Sequence, residues 1–260
     1  MDKEDVKRII NNPGFIPGVY NYCDRWCERC PLTSRCANYA TGEEFFPGSE
    51  EQGIHNERFW EQLGEVFRVT MEMLKEMAEE RGIDLDSLDT SEYEEEHEKI
   101  LEEAKTHPCV VAADKYAKRV DDWFDTKKKL YVEKGESLQK QVELGLTGSD
   151  PFGEAEGLKN ATDVIRWHQY QIYVKLMRAM TGLLEGVPEI IKDMPKDSDG
   201  SAKVALIGID RSIGAWGAIR GYFPTEEDEI LDILVHLERL RRMTEETFPG
   251  ARAFVRPGFD

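Results

Sequence analysis

The sequence has no long hydrophobic run. Its most apolar helical segment, around residues 204–216, is interrupted by Asp210 and Arg211, well short of the roughly 20 apolar residues that a membrane-spanning helix needs. The opening residues Met1-Asp-Lys-Glu-Asp lack the basic and then apolar layout of a secretory leader, so the expectation is a cytoplasmic protein with no membrane partner. Positive charge is scarce as well: 34 Lys and Arg stand against 52 Asp and Glu, a formal net charge of -18. A surface of that sign repels phosphate backbones and anionic lipid. The basic runs at Lys127 to Lys129 and at Arg239, Arg241 and Arg242 lie among acids, and nucleic acid is not expected as a partner. Period-two alternation is missing, which argues against sheet. So are a phosphate-binding loop, a dinucleotide fingerprint and a serine-hydrolase elbow.

What the sequence does carry is helical periodicity. With 40% hydrophobic and 33% charged residues, it reads as a folded chain with highly charged helix surfaces. From about Asn56 to Glu80 the residues Phe59, Leu63, Val66, Phe67, Leu74 and Met77 recur at the spacing of an amphipathic helix. Ser91 followed by Glu94 has the form of a capping box and opens another helix. His107-Pro108 breaks it, because proline disfavours helical geometry in the residue before it. The next helix carries Ala112, Tyr116, Val120 and Trp123 on one face, and a further one covers roughly 127–144. Thr147-Gly-Ser-Asp-Pro-Phe-Gly has loop composition and divides the helical body. Three more helices are expected at about 161–184, 202–222 and 226–247, the last capped by Thr225 with Asp228 three residues on. The expected fold is all-α, a helical bundle over residues 51–260. A small irregular cysteine-rich module over residues 1–50 precedes it, punctuated by Pro13, Gly14, Pro17, Gly18, Pro31, Pro47 and Gly48.

Five cysteines are an odd number, and four fall within fourteen residues while Cys109 stands alone. That distribution suits metal ligation better than a disulfide framework. Cys23, Cys27, Cys30 and Cys36 give the spacing C-x3-C-x2-C-x5-C. Thiolates hold soft or borderline metals strongly, and one short segment gathers four of them at little loop-closure cost. The pattern differs from the paired C-x2-C knuckles of structural zinc. If the stretch is helical, offsets of four and three place the first three cysteines on one face, about 5 to 6 Å apart. Tetrahedral zinc, at about 2.3 Å per Zn–S bond, needs its sulfurs within about 4 Å of one another. An iron-sulfur cluster distributes its thiolates over separate irons and tolerates wider spacing. A 4Fe-4S cluster is therefore expected slightly ahead of Zn. Radical S-adenosylmethionine enzymes share the C-x3-C-x2-C spacing, but in a β/α barrel whose strand and helix alternation this chain lacks. Arg25, Arg29 and Arg35 stand beside the thiols, where they either offset thiolate charge or pair with Asp24 and Glu28.

Three polar residues interrupt otherwise apolar helix faces. His168 falls in the stripe Ile165, His168, Ile172, Leu176, Ala179 and Leu183, with Gln171, Lys175 and Arg178 in the following turns. Asp210 stands in a segment that is apolar nearly all round, and a buried carboxylate needs a partner, a proton or a metal. Gly214, Gly217 and Gly221 continue its face with residues small enough for close helix approach. Asp232 and His236 are four apart and share a face. Each also has a structural reading, as a core histidine or an ion pair. Glu94 and His97 make the one Glu-x-x-His of the chain, where ferritin-like di-iron bundles use two. The functional expectation is a metal-binding protein, in its redox form an oxidoreductase. Its iron-sulfur centre would exchange electrons between a redox partner and a bundle pocket whose catalytic residues are His168, Asp210 and His236. The alternative is a zinc-stabilised acidic adaptor or regulatory protein that binds a protein partner and catalyses nothing.

Overall fold

A computed structural model describes residues 3–45, 57–87, 89–145, 148–186 and 196–260. Among the described residues every regular element is a helix, and no helix is long and apolar enough to cross a membrane. The chain divides into two compact units, one of Met1–Glu95 with Val255–Asp260 and one of Glu96–Phe254. The domain boundary expected at residue 50 falls within residues 46–56, outside the described residues.

In the first unit, α1 (Lys3–Ile10) and α2 (Ala37–Phe45) flank an irregular stretch that holds the four clustered cysteines, and α3 spans Glu57–Glu80. The module expected to be irregular thus carries two short helices. Lys3 pairs with Glu76 and, at 3.3 Å, with Glu72 of α3, and Arg8 of α1 pairs with Glu44 of α2 at 2.5 Å. Apolar burial here is sparse: among the described residues it comprises Ile9, Val19, Val69 and Ala78. The periodicity placed α3 correctly but not its buried face. Phe67, Leu74 and Met77 are 63%, 48% and 50% exposed, and Val69 and Ala78 turn inward instead. An interior this small cannot cover every apolar side chain of a 24-residue helix.

The second unit takes in most of α4 (Ser91–Thr106) and then α5 (Pro108–Thr126), α6 (Lys128–Glu143), α7 (Pro151–Glu185), α8 (Asp197–Tyr222) and α9 (Glu227–Thr247). Several boundaries move by a few residues for identifiable reasons. Thr90, not Ser91, precedes α4: its carbonyl takes the Glu94 N–H and its hydroxyl donates to the Glu94 carboxylate at 2.6 Å. α7 begins ten residues earlier than the periodicity suggests, because Asp150 accepts from the Gly153 N–H at 2.9 Å and Pro151 supplies a preformed first turn. Thr225 lies in the short turn Pro224–Glu226 and leaves the cap position of α9 to Glu226.

α5, α7, α8 and α9 pack as a ring in which each helix contacts two neighbours. Pairwise contacts show every neighbour to be antiparallel. Asp121 meets Gln169 and Phe124 meets Arg166; Gly157 faces Tyr222 and Gly182 faces Ser198. Ala112 meets His236 while Arg119 meets Asp232. The stripe of α5 expected from sequence is buried throughout, as are Ile165, Ile172, Leu176 and Ala179 of α7; Leu183 at its end is 42% exposed. Trp123 and Trp216 meet edge to face at 5.3 Å. The Trp216 indole N–H donates at 3.1 Å to Tyr116, whose hydroxyl pKa burial pushes up to about 12. Gly214, Gly217 and Gly221 face open space rather than a neighbouring helix. Close approach occurs at Gly208, where a Cβ would sit 3.1 Å from Ile172 Cγ1 and 3.3 Å from His168 Nδ1.

Candidate metal centre

The cysteine stretch is not an α-helix. Arg25 takes a positive φ of 54°, a conformation that costs a residue with a Cβ roughly 1–2 kcal/mol. Asp24 Oδ1 steadies the bend by accepting from the Trp26 N–H at 3.2 Å. Single turns follow at Cys27–Arg29 and Thr33–Arg35, with Pro31 between them. The one-face helical placement of the first three cysteines therefore does not hold. The bends achieve the convergence instead: Cys23, Cys27, Cys30 and Cys36 all line one cavity of about 200 Å³.

The geometry of that cavity bears on what it can hold. Its volume far exceeds the roughly 10–15 Å³ that admits one water. Among the described residues, no three Cys, His, Asp or Glu side chains stand close enough to hold a single metal ion. Aromatic rings of Tyr20, Trp26, Tyr39 and Phe259 share the wall with the sulfurs. The Cys30 sulfur accepts from the Leu32 N–H at 3.4 Å, and the Cys36 carbonyl accepts the first hydrogen bond of α2 from Ala40 at 3.0 Å. Cys36 thus stands at the N-terminus of α2. Burial raises the Cys27 thiol pKa, and repulsion from Cys23, Cys30 and Cys36 adds to it. Four soft donors with mutually opposed negative charge are the donor set that a cationic centre relieves. Arg25, Arg29 and Arg35 are exposed around it, with the Arg29 guanidinium 3.9 Å above the Trp26 ring.

The three bundle residues have separate partners. His168 is fully buried on α7, its Nδ1 3.0 Å from Gln171 Oε1. Asp210 is 38% exposed and holds Arg252 by two hydrogen bonds of 2.6 and 3.3 Å, so its charge is paired rather than stranded in the core. His236 Nε2 donates to the Ala112 carbonyl at 2.8 Å, and burial holds its imidazole pKa below the ordinary value. Asp232 meets α5 through its backbone carbonyl, which accepts from Arg119 at 3.5 Å. Glu94 bonds Thr90 while His97 bonds Glu185 at 2.8 Å, so the two ends of the Glu-x-x-His have different partners. Cys109 is fully buried, its thiol donating to His107 Nδ1 at 2.9 Å, and burial lifts its pKa to about 11. That thiol stays protonated and closes the α4–α5 corner.

Phe259 is the wall residue that sequence reasoning missed. Every other lining residue lies between Val19 and Tyr39, and nothing in a local pattern connects them to a phenylalanine more than 200 residues along the chain. No protein-family model, curated protein or solved structure matches this chain. Fold and site define it by their own features, as a chain that is helical in its regular elements among the described residues and that carries a four-cysteine cavity.

Proposed function

We propose that this chain is an iron-sulfur protein in which Cys23, Cys27, Cys30 and Cys36 hold one 4Fe-4S cluster that exchanges single electrons with a redox partner. The observation that carries the reading is the cavity: four cysteines of one short segment line it together. A cluster gives each thiolate its own iron and fills such a space, whereas zinc draws four sulfurs within about 4 Å of one another. The bound cluster would supply reversible one-electron chemistry, and the surrounding protein sets its potential. The Leu32 N–H directed at Cys30 would favour the reduced, more negative state of a bound cluster. The aromatic wall limits water, which disfavours that state by lowering the local dielectric. Arg25 lines the cavity beside Asp24, and Arg29 and Arg35 are exposed on the same short stretch, where they would favour an acidic electron partner.

The test is spectroscopic. Protein purified without oxygen should be brown, lose visible absorption on adding dithionite and regain it on mild reoxidation. Serine at any of the four positions should weaken or abolish the chromophore. A colourless protein with one zinc would support the acidic adaptor reading instead. Serine variants that stay folded, carry no metal and function fully in cells would remove the cysteine centre from the account.

A further inference from the structure

We infer that residues 255–260 form a built-in cap over one side of the cysteine cavity, with the half-buried Phe259 ring narrowing the access of water and oxidants to the half-buried cysteines. Its geometry stands apart from the identity of the metal; its purpose rests on the metal-centre reading above. Phe259 lines the cavity together with all four cysteines, and the segment belongs to the same compact unit as the cysteine stretch.

The segment is shaped to hold that ring in place. The Arg256 guanidinium bonds the Asp260 carboxylate at 2.9 and 3.1 Å, and the Arg256 backbone N–H bonds it at 3.0 Å. The Phe259 and Asp260 N–H groups both return to the Arg256 carbonyl, at 3.1 and 3.3 Å. These bonds close a tight turn with the ring held between its ends, and the guanidinium lies 4.8 Å from the ring centre, in range of a cation–π attraction. The turn seats closely on the cysteine stretch. Gly258 has φ +78°, and a Cβ there would lie 2.8 Å from Ile16 Cδ1 and 3.4 Å from Leu32 Cδ1. Only glycine combines that dihedral with that approach. Pro257 packs against Gly18, itself at φ +73°.

The measurement uses the full chain as purified without oxygen, with its metal content recorded separately. Iodoacetamide labelling followed by mass spectrometry reads each cysteine, and Cys109 reports on the integrity of the bundle. F259A should speed labelling of Cys23, Cys27, Cys30 and Cys36 by about ten-fold, with Cys109 unchanged. F259L, which keeps an apolar plug, should restore most of the protection. G258A, which strains the turn at its positive φ while keeping the ring, should open the cavity as F259A does. If the wild-type protein carries colour, F259A should also bleach faster in air. Equal labelling of wild type, F259A and G258A, with Cys109 still protected, would overturn the cap. Wild-type protein that binds no metal but still shows the F259A effect would sink the iron-sulfur reading and leave the cap standing.

Discussion

The two compact units are stabilised by different means. The four-helix ring buries Tyr116, Trp123, Ile165, Leu176, Ile209, Trp216, Ile230 and Leu237 at 1% exposure or less, and burial of that kind pays for its own folding. The unit with the cysteines has, among its described residues, Ile9, Val19, Val69 and Ala78 as its buried apolar side chains, together with ion pairs that are largely exposed. Exposed pairs contribute little. What this unit has in their place is four thiols around one cavity, and ligation can supply the missing free energy. One region folds by excluding water; in the other, a bound centre would supply what apolar burial does not.

That contrast can be broken most severely at the cysteines. C27S should remove the metal that the proposed centre holds and, with it, the largest share of this unit's folding free energy. Hydrogen exchange should show residues 15–39 losing protection while α5 and α8 keep theirs, and equal loss in both units would erase the distinction. W216A attacks the other side. It should cost the ring about 3–5 kcal/mol in denaturant unfolding and leave the metal content as in wild type. A W216A protein without metal would mean that the two regions depend on each other.

pH sharpens the comparison more gently. Burial holds the His236 pKa below the ordinary value, with the charges of Arg119, Lys115 and Arg239 adding to it, so the folded state takes up that proton less readily than the unfolded chain. The ring's stability should therefore be level above about pH 6.5 and fall as pH drops through that value, until the folded imidazole itself titrates. H236Q should flatten part of the slope, with His107, also lowered by burial, accounting for the rest. An unchanged slope in H236Q would remove His236 as a cause. The smallest effect is expected of D210N. Asp210 and Arg252 are 38% and 42% exposed, and losing such a pair should cost at most about 1 kcal/mol by thermal or denaturant unfolding. A loss several times larger would reinstate Asp210 as a buried, critical carboxylate.

The sequence made the ring legible because its helices obey one rule: apolar residues every three or four positions face a common interior, as Ala112, Tyr116, Val120 and Trp123 do. The same rule failed for the buried face of α3, since periodicity marks an amphipathic helix and says nothing of whether its unit has enough interior to cover it. Starts and partners were harder to read. Asp150-Pro151 looks like a loop by composition and acts as a helix cap through one hydrogen bond. Asp210 looked stranded because its partner, Arg252, lies 42 residues away. At the centre itself, spacing alone singled out Cys23, Cys27, Cys30 and Cys36. The bends that bring them together depend on Arg25 in a conformation that no propensity suggests, and Phe259 reaches them only through the tertiary fold.

Elemental analysis of protein purified without oxygen decides whether Cys23, Cys27, Cys30 and Cys36 hold the proposed iron-sulfur cluster. About four irons and about four acid-labile sulfides per chain are expected, both lost in C27S. One zinc per chain with no sulfide would contradict the cluster and leave the cysteine unit a structural staple.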